Sequence, residues 1–211
     1  MKLPNAINQL SELIQFNLPG EDAHLPMSPL GRLKSSEALK TAVNHKLSAV
    51  SVILFEKEQQ HNFILTQRQT YPGAHSGQIA FPGGKFEHYD ENTLQTAIRE
   101  SKEEINIQLS REMHLGKLTN VYIPVSNFLI EPHVFWAPKN FTLTPEKREV
   151  HSIFDAKIIE LLAEDNCIRR TVSTGNNQTK EVPGFMLSNK FIWGATALIL
   201  NELKTLFNKI N

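Results

Sequence analysis

A pair of glycines followed closely by three glutamates on one helical face constrains this chain more than any other feature. Gln78 to Phe81 reads as a short strand, and Pro82-Gly83-Gly84 then gives a turn at which backbone can approach a ligand closely. A helix is predicted to start near Asp90, Glu91 or Asn92, each able to cap orphan amides ahead of the apolar positions Leu94, Ala97 and Ile98. Glu100, Glu103 and Glu104 fall on that helix at i, i+3 and i+4, so at about 100° per residue they share a sector roughly 100° wide. Repulsion at these spacings costs only about 0.2–0.5 kcal/mol per pair. An ordinary solvated acidic face tolerates that, so the triplet alone does not make a site.

The neighbourhood changes the reading. Gly84 is followed after six residues by Glu91, after seven more by Arg99-Glu100, and after two more by Glu103-Glu104. This run, about residues 84–107, resembles the Nudix box, in which a glycine, an upstream acid and an R-E-x-x-E-E core form a cation-binding loop and helix. The usual spacing from the glycine selects Asp90 as the upstream acid, whereas the spacing back from Arg99 selects Glu91, so one residue is inserted. Asn106 stands where the box has a glycine, and asparagine is the next most tolerant residue for a left-handed helix end. Ser101 stands at a usually apolar position and hints at looser packing there.

A second signature lies just upstream. Ile64-Leu65-Thr66-Gln67-Arg68, His75-Ser76-Gly77-Gln78 and Phe81-Pro82-Gly83-Gly84 are similar to the extra motif of the coenzyme A diphosphatase branch of the Nudix hydrolases. Gln69 and Pro72 depart from that motif, and Ile192 to Ala197 resembles the start of the branch's last helix. The resemblance covers most of residues 47–211. It implies an α/β/α sandwich around a central mixed sheet, Glu100, Glu103 and Glu104 as ligands for Mg²⁺ or Mn²⁺, the Gly83 carbonyl as a further ligand, and Arg99 as the group that fixes a glutamate rotamer. A box glutamate or Glu149 would activate water. The implied substrate is coenzyme A or acyl-CoA, cut at its diphosphate to 3′,5′-ADP and 4′-phosphopantetheine or its acyl form. A Nudix hydrolase of ADP-ribose or a dinucleotide is the alternative, and a Nudix-fold binding protein without catalysis is a second.

The residues give independent chemistry for parts of this. Clustered carboxylates and a free carbonyl suit hard dications that keep several waters. Such ions can polarise a diphosphate, neutralise a leaving phosphate and lower the pKa of an attacking water. Arg68 could present a planar donor fork to a phosphate or sit in a surface salt bridge, and the residues do not decide between these. With Lys85, His75 and Gln78 it completes the expected substrate contacts, although a loop histidine such as His75 also serves as a hydrogen-bonding spacer. Lys147 and Arg148 are further cations near loops that could face the site. Glu149 could equally be an ordinary exposed acid.

The rest of the chain reads as scaffold. Its 211 residues, 40% hydrophobic and 21% charged, fit one globular domain over 1–211, with residues 1–45 as a helical arm packed on it. Lysine plus arginine balance aspartate plus glutamate at 22 each, which removes a global field for nucleic acid or anionic membrane. No run approaches the ~20 apolar residues of a membrane span, and no signal peptide is evident, so a cytoplasmic protein is expected. The residues leave the oligomeric state open, a homodimer included. The lone Cys167 is expected to be a small buried residue without a disulfide partner.

Ile7, Leu10, Leu13 and Ile14 predict an amphipathic first helix, residues 21–32 an irregular connector, and residues 35–44 a short helix. Residues 47–55, apolar on both faces, predict a central strand, and residues 62–66 its return. Strands are expected over 115–125 and 128–136, a helix over 155–164, a hairpin around Gly175-Asn176, and a last helix packed through Ile199, Leu203, Leu206 and Ile210.

Overall fold

Strand β1 (Lys46–Lys57) carries apolar side chains toward both faces because it is covered on both. Ala49, Ile53 and Phe55 point to one core, while Val52 and Leu54 point to the other. The computed structural model describes residues 4–70, 77–138, 140–174 and 178–210. Around β1 lie β2 (Gln60–Arg68), β3 (Ile79–Ala80), β4 (Gly83–Lys85), β5 (His114–Lys117), β6 (Val121–Ile123), β7 (Phe128–Trp136) and β8 (Val150–Lys157). Their order is β3-β2-β1-β7-β5, with β4 also on β1, β6 on β7 and β8 on β2. β1 and β7 run parallel from Lys46↔Phe128 to Leu54↔Trp136, whereas the other pairs are antiparallel, so the sheet is mixed.

Helices cover the two faces. Helix α3 (Thr93–Ile105) packs Ala97 and Ile105 on Ala49, Ile53, Ile64 and Phe135. The opposite core joins Ile7, Leu10 and Ile14 of α1 (Asn5–Phe16) to Leu198, Leu203 and Leu206 of α5 (Ala195–Phe207). The short helices α2 (Ser35–Leu39) and α4 (Ile158–Leu162) lie between these elements in sequence. A small sheet of β9 (Cys167–Thr174), β10 (Gln178–Leu187) and β11 (Lys190–Trp193) sends Phe185, Leu187 and Ile192 into the α5 core.

Several local expectations are corrected. Residues 20–27 form a 3₁₀ helix rather than an irregular connector, and it is held to α5 by His24 on Glu202 and by the Asn201 amide donating to the Ala23 carbonyl. Residues 115–125 make two short strands rather than one, because the ladder along β7 is interrupted between Lys117↔His133 and Val121↔Ile130 while the chain runs on in the same direction. Residues 150–157 are strand β8, leaving only Ile158–Leu162 helical; the ladder to β2 outweighs local helical preference. β9 and β10 pair as expected, though the apex at Gly175-Asn176 lies outside the described residues. Cys167 is exposed, since it opens the outer strand of the small sheet. Ser101 is fully buried and tightly paired: its hydroxyl bonds Ser51 Oγ and the Ala97 carbonyl, both at 2.8 Å. A polar pair replaces apolar packing between α3 and β1.

The start of α3 is fixed by two histidines. Asn92 caps the helix by accepting from the Gln95 amide at 3.0 Å. The next hydroxyl, on Thr93, contacts His133 Nε2 at 3.1 Å and donates to Glu131 at 2.7 Å. His133 Nδ1 meets His114 Nε2 at 3.2 Å, and Lys117 pairs with Glu131 at 2.9 Å. Burial, then the neighbouring His114, holds His133 down from 6.5 to about 4. The unfolded chain therefore takes up the proton first as pH falls. The stabilisation is full above pH 6.5 and is lost as pH drops through about 4. It is worth on the order of 3 kcal/mol. Urea unfolding across that range should show the loss in the wild type and a much smaller one in His133→Gln; identical pH profiles would refute the assignment.

Candidate active site

The glycine pair joins β4 to the carboxylates of α3. A Cβ on Gly83 would meet the Ala49 carbonyl and, at 2.7 Å, Val50 Cα, so only glycine allows this approach to β1. A Cβ on Gly84 would collide with the Glu100 carboxylate, at 2.5 Å from its Cδ. Residues 83–85, expected as part of a turn, thus form strand β4 on β1, and Gly84 leaves the space that Glu100 fills. The Gly83 amide donates to Glu104 Oε2 at 3.0 Å.

A second frame orients the acids from behind. Arg99 donates through Nε and Nη2 to the two oxygens of Asp90, each at 2.9 Å, and through Nη2 to the Lys85 carbonyl at 3.0 Å. Its Nη1 reaches Glu100 at 2.7 Å and Glu103 at 3.0 Å. Asp90 also accepts from Thr96 Oγ1 and the Glu87 amide. These donors, Arg99 foremost, hold its carboxyl down at about 2. Of the two upstream acids that sequence left open, Asp90 therefore carries the contact to Arg99. Glu91 is exposed and pairs with Arg111 on the surface.

The acids themselves differ in setting. Glu104 is buried, which pushes its carboxyl up to about 7 against the pull of the Gly83 amide and Arg68. Glu100 is raised by burial, opposed by Arg99 and reinforced by the charges of Glu103 and Glu149. Glu149 acts on Glu104 in the same direction, so its charge is felt by both acids although the residue is exposed. The loop before it is folded back on the end of α3: Thr144 and Glu146 amides donate to the Ile105 and Glu104 carbonyls at 3.0 and 2.8 Å. The Gln69 amide donates to the Glu149 carbonyl at 2.9 Å. Glu103 is the solvent-facing member, held by Arg99.

Arg68, at the end of β2, brings Nη1 to 3.9 Å from Glu104 Oε1. Its Nε is buried and has no hydrogen-bond partner among the described residues. Lys85 is exposed and pairs with Glu87 at 3.2 Å, so it stands at the rim. The Gln78 carbonyl accepts from the Arg68 amide at 2.9 Å. His75 lies outside the described residues. Lys147 and Arg148 are exposed on the loop that carries Glu149.

The donor set fits a hard dication: oxygen ligands only, with two carboxyls raised by burial and mutual repulsion, which a bound cation would relieve. Among the described residues, no three His, Cys, Asp or Glu side chains are already gathered round one point. Arg99 holds both Glu100 and Glu103 by ion pairs.

The NUDIX domain model matches residues 45–170. The chain is 33% identical over 140 residues to a protein of Yersinia enterocolitica named uncharacterized Nudix hydrolase NudL, covering 66% of this chain and 71% of that one. It is 31% identical over 160 residues to the protein of the same name from Photorhabdus laumondii, covering 76% and 84%. In fold it is similar to a MutT/nudix family protein from Enterococcus faecalis, with a TM-score of 0.54 at 15% identity, over 99% of this chain and 76% of that one. No helix among the described residues is long and apolar enough to cross a membrane.

Proposed function

The chain belongs to the NUDIX domain family as a Nudix hydrolase, and on that premise we propose that it cleaves the diphosphate of coenzyme A or acyl-CoA with Mg²⁺ or Mn²⁺. The products are 3′,5′-ADP and 4′-phosphopantetheine or its acyl form. The observation that carries the reading is the buried Glu104 carboxylate, raised to about 7 by burial and by the charges of Glu100 and Glu149, and bonded to the Gly83 amide of β4. Glu100, Glu103, Glu104 and the Gly83 carbonyl would hold the cation. When bound, it would neutralise the diphosphate and leaving phosphate and acidify an attacking water.

The chain's own groups do the rest. Arg99, locked by Asp90, sets the rotamers of Glu100 and Glu103. Glu149 or a box glutamate takes the proton of the attacking water. Arg68 offers to a substrate phosphate its Nε edge, which has no partner among the described residues, and Gln78, His75 and Lys85 are assigned as the further substrate contacts. Support for coenzyme A over other nucleoside diphosphates comes from the signature running through Thr66, Arg68, Gln78 and Phe81, whose Arg68 adjoins Glu104.

Product analysis by chromatography tests this. Purified protein is incubated with coenzyme A, ADP-ribose or a dinucleotide, with and without Mg²⁺ or Mn²⁺. Metal-dependent release of 3′,5′-ADP, fastest from coenzyme A, is expected. Faster cleavage of ADP-ribose or the dinucleotide would keep the hydrolase and discard the coenzyme A assignment.

A further inference from the structure

A large aromatic side chain stands mostly in water, packed against Arg99 and His88. Tyr89 is 62% exposed. It lies on a turn closed from both ends by Asp90, whose amide donates to the Glu87 carbonyl at 2.9 Å and whose carboxylate accepts from the Glu87 amide at 3.0 Å. The Arg99 guanidinium sits over the ring at 5.5 Å from its centroid, and His88 meets the ring at 5.1 Å and 73°. The same guanidinium bonds Glu100 and Glu103, so the ring is one side chain removed from the acids.

We infer that Tyr89 is a stacking platform for the nucleobase of the substrate, which makes it a specificity-determining residue of the hydrolase read above. Every nucleobase has an apolar π face, and an exposed, conformationally fixed aromatic ring is the surface that such a face covers. Because Arg99 fills one face, the base takes the other. Arg99 also withdraws electron density from the ring, which favours stacking by an electron-rich purine. The ribose and first phosphate bridge from there to the carboxylates. The inference rests on the hydrolase reading but not on coenzyme A, since ADP-ribose and dinucleotides also carry a base.

Titration calorimetry on the full chain separates these roles. The variants are Tyr89→Leu and Tyr89→Phe, and the probes are 3′,5′-ADP and AMP, set against the base-free 4′-phosphopantetheine and ribose 5-phosphate. Tyr89→Leu should weaken both nucleotides about 5- to 100-fold and leave the base-free probes unchanged, while Tyr89→Phe keeps wild-type affinity. In turnover of the fastest substrate, Leu should raise KM much more than it lowers kcat. Equal weakening of all four probes, or a fall in kcat with unchanged KM, would reduce Tyr89 to a cover for Arg99 and overturn the proposal, as would no change at all. Wild-type failure to cleave coenzyme A while cleaving ADP-ribose would remove the coenzyme A assignment alone.

Discussion

Glu104→Gln is expected to lower turnover by about 10²–10³-fold or more, the range seen when one preorganised electrostatic partner is removed. The same substitution should stabilise the metal-free protein. The amide can still accept from the Gly83 amide, as the carboxylate does at 3.0 Å, so the geometry is kept while the buried charge is removed. The folded carboxyl titrates at about 7 against an ordinary 4.5. Its folded value is raised, so stability is fully present below pH 4.5 and is lost as pH rises through about 7. At pH above that window the variant should exceed the wild type by on the order of 2–3 kcal/mol. Thermal melts in chelator, paired with steady-state rates in Mg²⁺, check both halves. A variant that stays active, or one that is less stable without metal at high pH, contradicts the role given to Glu104.

Asp90→Ala carries the second large effect. It would leave Arg99, only 14% exposed in its side chain, without its bidentate partner, the Thr96 hydroxyl with only its longer bond to the Asn92 carbonyl at 3.4 Å, and the Glu87 amide without Asp90. Breaking one half of a buried pair typically costs about 3–5 kcal/mol. Activity should fall as well, because Arg99 is then free to pull Glu100 and Glu103 into a different arrangement. Glu91→Ala is the matched control. Its pair with Arg111 is more than half exposed on both sides, and such pairs are worth about 0–1 kcal/mol. Urea unfolding of the two variants decides between them; a larger loss from Glu91→Ala would reverse the assignment of the upstream acid.

That choice shows where sequence reading stops. The sequence spacing admits Asp90 and Glu91 alike, since one residue is inserted in the loop. Only the turn from Glu87 to Asp90, which points one acid at Arg99 and the other at solvent, separates them. By contrast β1, α3 and α5 are legible because their patterns are long and regular. β1 is apolar on both faces, α3 ends at Asn106 with φ 58°, and α5 shows a stripe at helical spacing. β4, β8 and β11 have no such pattern: Gly83-Gly84 reads as a turn. Val150 to Lys157 runs into Ile-Ile-Glu-Leu-Leu, whose helical pattern masks the strand before it, and Lys190–Trp193 is too short to register.

The site divides along the same line. Glu100, Glu103 and Glu104 lie within one helical turn and a half, so periodicity alone aligns them. The charge of Glu149 acts on Glu100 and Glu104 because the loop through Thr144 and Glu146 is bonded to the end of α3, a contact with no local sequence signal. The His114–His133 pair likewise depends on the pairing of β5 with β7. Ser101 misled because a buried hydroxyl can be as well packed as an aliphatic side chain once Ser51 faces it. Tyr89 lies in the inserted loop, where spacing arguments say nothing about which way a ring points.

The claim that these carboxylates form a cation site is tested most directly by titrating the metal-free protein with Mn²⁺, followed by electron paramagnetic resonance. Loss of an outer-sphere partner alone lowers metal affinity about 10–100-fold, so loss of a ligand should cost no less. The account predicts saturable binding by the wild type that weakens by at least about tenfold in Glu100→Gln and in Glu104→Gln. Unchanged Mn²⁺ affinity in both variants would contradict it.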